Sequence, residues 1–172
     1  MKKFFLLITA VIAANCFSQE TYNLRGTKWQ IEKPETYLSD DNGLLDNPLF
    51  IFSVANESSL NSMGAEYDEN EDVLENVAPE VFVFLLKDGF EKQFNNNEFK
   101  AEVNEAKQYI DNQKFYLVRS YITQLESGKQ FYYDYYFSEI NERMLVVVIA
   151  YDNDEDKKLM ENAFVNSKFT TE

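Results

Sequence analysis

The sequence predicts an α+β domain in which an antiparallel β-sheet meander is covered by helices on its faces, an α/β/α sandwich. Three observations predict it. From residue 102 to 151, strand-forming segments follow one another with only short turn signals between them, at Asp111-Asn112, Ser127-Gly128 and Ile140-Asn141. The last segment, Met144 to Ala150, is apolar on both sides, as a strand enclosed between two layers must be. Two helical patterns, over 79–94 and 155–164, are available as those layers.

The elements follow in chain order. Lys2 and Lys3, an apolar run from Phe4 to Ala14, and then Cys16 and Ser18 at two positions that must be small form a signal peptide over 1–18, cleaved after Ser18. Its eleven apolar residues fall short of a membrane span, which needs about 20. The alternative is lipid attachment at Cys16, for which Asn15 is a poor preceding residue. The expectation is an exported protein, periplasmic or secreted, with no membrane insertion of the mature chain and a single domain over 19–172.

Residues 19–27 read as a polar leader. Lys28 to Lys33 alternates around Trp29 and Ile31 and reads as a strand ended by Pro34. Ser39 to Pro48 has loop chemistry, and Leu49 to Ala55 suits a second strand. Asn56 to Ala78 carries seven acidic residues and no basic one. It is expected to be a solvated excursion with a short helical piece near Val73 to Val77. Over Pro79 to Phe94, the stripe Phe82, Leu86, Phe90, Phe94 with Leu85 predicts a helix, and Pro79 and Glu80 suit its first turn. Strand-formers over Val81 to Leu86 and the pair Asp88-Gly89 compete with that reading. Strands follow at Glu102–Ile110, Lys114–Leu125, Gln130–Phe137 and Arg143–Tyr151. A helix from Glu155 to Phe164 is capped by Asp152 or Asp154, with Asp152 and Glu155 spaced as a capping box. Ser167 to Thr170 makes a last short strand.

Composition narrows the chemistry. The 172 residues contain no histidine and one cysteine, Cys16, inside the expected signal. The mature chain therefore has no disulfide, no thiolate nucleophile, no imidazole base and no soft metal ligand. Net charge is −14, and loss of Lys2 and Lys3 leaves 14 basic against 30 acidic side chains, or −16. Such a surface repels phosphate backbones, so nucleic acid is not an expected partner. Asp152, Asp154 and Asp156 alternate as in a calcium loop. However, Lys157 and Ala163 stand where that loop needs glycine and glutamate, and Asp68, Asn70 and Asp72 fail likewise.

Tight turns at Ser127-Gly128 and Ile140-Asn141 would set Tyr121 against Asp134 and Asp134 against Val147. One face then collects Val118, Ile122, Phe131, Tyr133, Tyr135, Phe137, Met144, Val146 and Val148. The other holds Arg119, Tyr121, Tyr132, Asp134, Tyr136, Leu145, Val147 and Ile149. On it Arg119 and Asp134 become diagonal neighbours among tyrosines. Arg119, Tyr121, Asp134 and Tyr136 are the candidate ligand-binding residues, or else a satisfied ion pair under a helix.

The layout resembles that of PsbP-like proteins. Lys28-Trp29-Gln30-Ile31-Glu32-Lys33-Pro34 is similar to their opening strand and proline, and the meander, closing helix and Asn166-Ser167-Lys168-Phe169 are similar to their end. The resemblance implies the antiparallel α/β/α sandwich of the photosystem II extrinsic proteins and of a Ran-binding nuclear-import factor, a group that acts mainly by binding. The histidines linked to metal in the photosystem proteins have no counterpart here, so no functional residue carries over. The expected function is that of an exported, non-catalytic binding or accessory protein for a protein or small-molecule partner, without cofactor or metal. The alternatives are a carboxylate-dependent glycan hydrolase and a calcium-responsive acidic module.

Overall fold

The computed structural model describes residues 18–39, 45–46, 48–54, 61–67 and 77–171. Residues 1–17 of the expected signal lie outside these, as do 56–60 and 68–76 of the acidic excursion and most of the helical piece expected near Val73. The strands are β1 (Ser18–Leu24), β2 (Thr27–Lys33), β3 (Tyr37–Ser39), β4 (Pro48–Val54), β5 (Ser62–Tyr67), β6 (Phe99–Ile110), β7 (Gln113–Gln124), β8 (Gln130–Ile140), β9 (Arg143–Tyr151) and β10 (Lys168–Thr171). Helix α1 (Pro79–Phe94) precedes β6 and α2 (Asp154–Val165) follows β9. A seven-stranded sheet runs β3-β4-β5-β9-β8-β7-β6, and a second sheet runs β1-β2-β10, with every pairing antiparallel.

The large sheet is the expected meander, and β9 lies inside it with both faces buried apart from Val146. Helix α1 packs on the middle of one face, where Val83 meets Tyr116, Val118, Phe137 and Met144. The other face is covered by α2 together with the three-stranded sheet. Helices alone were expected as cover. The small sheet is needed because a helix is about 10 Å wide and spans roughly two strands set about 4.8 Å apart.

Four local readings are corrected. The polar leader 19–27 contains β1: Glu20, Tyr22 and Leu24 alternate inward, and Arg25 and Gly26 (φ 53° and 94°) close a hairpin onto β2. The acidic excursion contains β5, a buried strand between β4 and β9. Its Gly64 and Ala65 are poor strand-formers, so its pairing is set by packing of Met63, Ala65 and Tyr67 into the core. The cap of α2 is Asn153, not Asp152 or Asp154; its side chain accepts from Glu155 N (3.1 Å) and Asp156 N (2.9 Å), a cap worth about 1 kcal/mol.

The hairpin registers are the fourth. The β7–β8 loop spans Leu125 to Gly128, closed by Gln124 N to Lys129 O (2.8 Å), with Gly128 at φ 69° in its last place. The β8–β9 turn is Asn141-Glu142, both at positive φ, rather than Ile140-Asn141. Asn141 is selected there because its amide also donates to Leu24 O (2.7 Å) and Thr27 Oγ1 (3.0 Å), joining the two sheets. Each register thus moves by two residues, which preserves every inward and outward assignment. Arg119 comes directly opposite Asp134, and Asp134 opposite Ile149.

The β6–β7 turn ties down the chain end. Asp111, at φ 47°, accepts Phe169 N (2.8 Å) and Lys168 Nζ (3.3 Å). The Phe169 amide first, and Lys168 after it, hold this carboxyl below its usual range. A depressed folded pKa gives stability that is complete above the unfolded value, about 3.9, and lost as pH falls through the folded value. The Phe169 amide should therefore lose hydrogen-exchange protection below about pH 3.9 while β8 amides keep theirs. Equal loss in both would show that Asp111 does not clamp β10.

Candidate functional site

The structure brings the four sequence-predicted residues onto the α2 side of the sheet. Arg119 Nε donates to Asp134 Oδ1 (2.8 Å), its Nη2 donates to Asp134 Oδ2, and Nη2 also reaches Glu161 Oε1 of α2 at 3.3 Å. Asp134 is only 1 % exposed, and the Arg119 side chain 22 %. The hydroxyl of Tyr151, on β9, lies 3.4 Å from Asp134 Oδ1. Hydrogen bonding to Asp134 raises the Arg119 pKa further above its already high value. Burial, and after it Asp134, pushes the Tyr136 hydroxyl up. Tyr136 is fully buried with its ring edge-on to Phe164 at 4.8 Å. Tyr121 stands apart from the ion pair, edge-on to Tyr132 at 5.3 Å, and Tyr132 stacks on Tyr151 at 5.1 Å.

The charges of this cluster are paired within the fold. One guanidinium faces two carboxylates, and its principal partner is inaccessible to a ligand. It joins β7, β8 and α2. Of the nearby acidic trio, Asp156 is likewise engaged, accepting from Tyr37 (3.0 Å), Asn61 (2.6 Å) and Asn153 (2.8 Å), and Asp152 accepts from Asn153 (3.1 Å). Among the described residues, no group of three or more His, Cys, Asp and Glu is placed to hold a metal ion.

A cleft of about 210 Å³ lies beside α2, lined by Glu32, Pro34, Leu159, Asn162, Ala163 and Asn166, and two larger ones lie on the opposite face, on both flanks of α1. Toward β6 is a cleft of about 460 Å³ lined by Glu80, Val83, Phe84, Glu105, Ala106, Lys107 and Tyr116. Tyr116 donates to Glu80 and accepts from Lys114, whose ammonium also lies 4.2 Å from the ring centre, with Lys107 at 5.1 Å. Toward β8 is a cleft of about 450 Å³, lined by Leu85, Leu86, Gly89, Phe90, Gln93, Phe94, Tyr133 and Tyr135. Among the described residues, no charged side chain lines it. Phe90 stacks on Phe94 at 5.6 Å and meets Tyr133 and Tyr135 at 6.3 and 5.8 Å. Burial raises both hydroxyls, Tyr135 to about 12. Both are therefore neutral donors at neutral pH.

Sequence reasoning missed this α1–β8 cleft although its parts were visible. The sequence places Tyr133 and Tyr135 on one apolar face and offers two helices as cover, without saying which face the α1 stripe meets. A single helix cannot cover that face, and the surplus aromatic surface forms the cleft walls.

No family model matches the chain, and no curated protein does. Among solved structures, cyanobacterial PsbP (CyanoP) from Synechocystis sp. PCC 6803 superposes with a TM-score of 0.59 at 11 % identity, over 92 % of this chain and 96 % of that one. LpqN of Mycobacterium tuberculosis, a protein involved in cell envelope biogenesis, superposes with a TM-score of 0.54 at 10 % identity, over 91 % and 92 %. The fold is therefore PsbP-like, as the layout of strands suggested. Likeness at this level of identity concerns the fold and not the chemistry. Among the described residues, no helix is long and apolar enough to cross a membrane.

Proposed function

We propose that this chain is an exported accessory protein that acts by binding, and that the α1–β8 cleft receives an uncharged, largely apolar ligand or partner segment. The observation that carries this reading is the cleft's lining: four aromatic rings, two neutral hydroxyls and one amide, with no charge to desolvate. The signal-like start of the sequence and the fold shared with an envelope-biogenesis protein support export. Arg119, Tyr121, Asp134 and Tyr136 then have a supporting part, fixing the sheet from the far side.

The hydrolase alternative needs one carboxyl kept protonated as general acid. The two glutamates that line the α1–β6 cleft do not supply it. Glu80 is held below the usual carboxylate range, chiefly by the Tyr116 hydroxyl, and Glu105 is bonded to Lys87 at 2.9 Å.

Gly89 offers a clean test. A Cβ there meets nothing within 4 Å. Replacing a helical glycine should also add about 0.5–1 kcal/mol of stability. The wild type should bind the neutral dye Nile red with saturable, blue-shifted emission. Gly89→Trp should fill the cleft and weaken that binding by about tenfold or more while the melting temperature holds or rises. Equal binding by the folded variant, or no binding by the wild type, would reject the cleft as the site.

A further inference from the structure

We infer that this chain pairs with a second copy of itself through the outer edge of β6. The seven-stranded sheet ends at β6, which is held by β7 over all twelve of its residues; among the described residues no strand lies on its other side, where only Phe99 O and Ala101 N are engaged, by Asn96 N (3.1 Å) and Asn95 Oδ1 (3.0 Å). An edge of this length presents a row of free N–H and C=O groups. The two-residue turn at 111–112 makes Ile110 and Gln113 a hydrogen-bonded pair. By alternation, the backbone groups of Val103, Glu105, Lys107 and Tyr109 point outward, away from β7.

Two copies joined at this edge by a two-fold axis normal to the sheet must place one residue opposite itself. Centred on Ala106, the pairing sets Glu105 opposite Lys107 of the second copy and Lys107 opposite Glu105. Asn104 then meets Gln108, and Val103 meets Tyr109, whose side chain is 67 % exposed. Opposite charges directly across an antiparallel pair are favourable, and like charges are not. Shifting the centre to 105 or 107 sets glutamate on glutamate or lysine on lysine. A centre at 101 also matches Lys100 with Glu102, but it overlaps only residues 99–103, against 102–110 for the Ala106 register. Edge charges commonly prevent pairing. Here their order selects one self-pairing and opposes its neighbours.

The surface beside the edge agrees. Glu105 and Lys107 pair with Val118 and Tyr116 and so lie on the α1 face. There the cleft between α1 and β6 opens, lined by Ala106 and Lys107 and by Phe84, which is 67 % exposed. A second copy docked on β6 approaches this cleft and its apolar wall. The net charge of −14 repels copies in general, so a contact that pairs opposite charges locally is the kind that can persist. This surface lies on the flank of α1 away from the proposed ligand cleft, and neither inference depends on the other.

Sedimentation velocity over a concentration series tests it, with circular dichroism to establish folding. The wild type should dimerise. Glu105→Lys and Lys107→Glu should each remain folded and weaken the dimer by about tenfold or more, since each reversal creates two like-charge contacts. The double variant Glu105→Lys/Lys107→Glu should recover it. A wild type monomeric at every concentration, single variants that dimerise unchanged, or a double variant without recovery would each overturn the proposal. Nile red binding, read separately, stays intact if only the dimer fails.

Discussion

Phe164→Ala is expected to lower the unfolding free energy by about 3–5 kcal/mol, a large part of what a domain of this size possesses. Phe164 is fully buried on α2. Its ring stands edge-on to Trp29 at 6.3 Å, to Phe115 at 5.2 Å and to Tyr136 at 4.8 Å. It thus joins the small sheet, β7 and β8 through one side chain. The neighbours cannot collapse into the void because Trp29 is itself fixed. Its indole donates to Ser167 Oγ at 2.9 Å and stacks on Phe169 at 5.6 Å. Trp29 is the only tryptophan, so urea unfolding followed by its emission reads the change directly. A loss below about 1 kcal/mol would mean that the two layers adhere without this ring.

The second large effect is expected from Arg119→Ala. Removing the cation leaves Asp134, 1 % exposed, without its guanidinium partner. Breaking a buried pair from one side costs about 3–5 kcal/mol. Here the lower end, about 3 kcal/mol, is expected, because water already reaches the partly exposed guanidinium. Glu161→Gln should cost about 1 kcal/mol or less, since that contact is longer and Glu161 is 32 % exposed. The double variant Arg119→Met/Asp134→Leu should return close to wild-type stability, because an apolar pair of similar volume escapes the desolvation penalty. Chemical denaturation of the wild type and the three variants measures these differences. If Arg119→Ala were neutral, the pair would not be structural, and a ligand role for Arg119 would regain force.

These expectations show where the sequence was informative. The period of two survived even where loop lengths did not. Gly128 closes a four-residue loop and Asn141 opens rather than ends its turn, yet Tyr135 and Tyr136 still face the sides assigned to them. The stripe of α1 and the buried run of β9 were equally legible. Strand β5 was not, because Ser62, Gly64 and Glu66 carry no strand signal and sit among acidic neighbours. Only contact with β4 and β9 makes them a strand. Strand β1 was hidden for a similar reason, since Tyr22 and Leu24 become meaningful only once Trp29 lies beside them. As for the site, the Arg119–Asp134 contact could be found from register. The α1–β8 cleft could not, because a hollow depends on how far a helix axis stands off a sheet.

The place of β2 between β1 and β10 bears on the order in which this polypeptide can acquire its shape. Trp29 lies near the front of the chain, yet its hydrogen-bond partner comes 138 positions later. While the chain emerges from its amino end, that indole has neither Ser167 nor Phe169 to shelter it, and a late stop codon would leave it bare. A contact of that separation closes late, so the small sheet is complete only once β10 has joined β2.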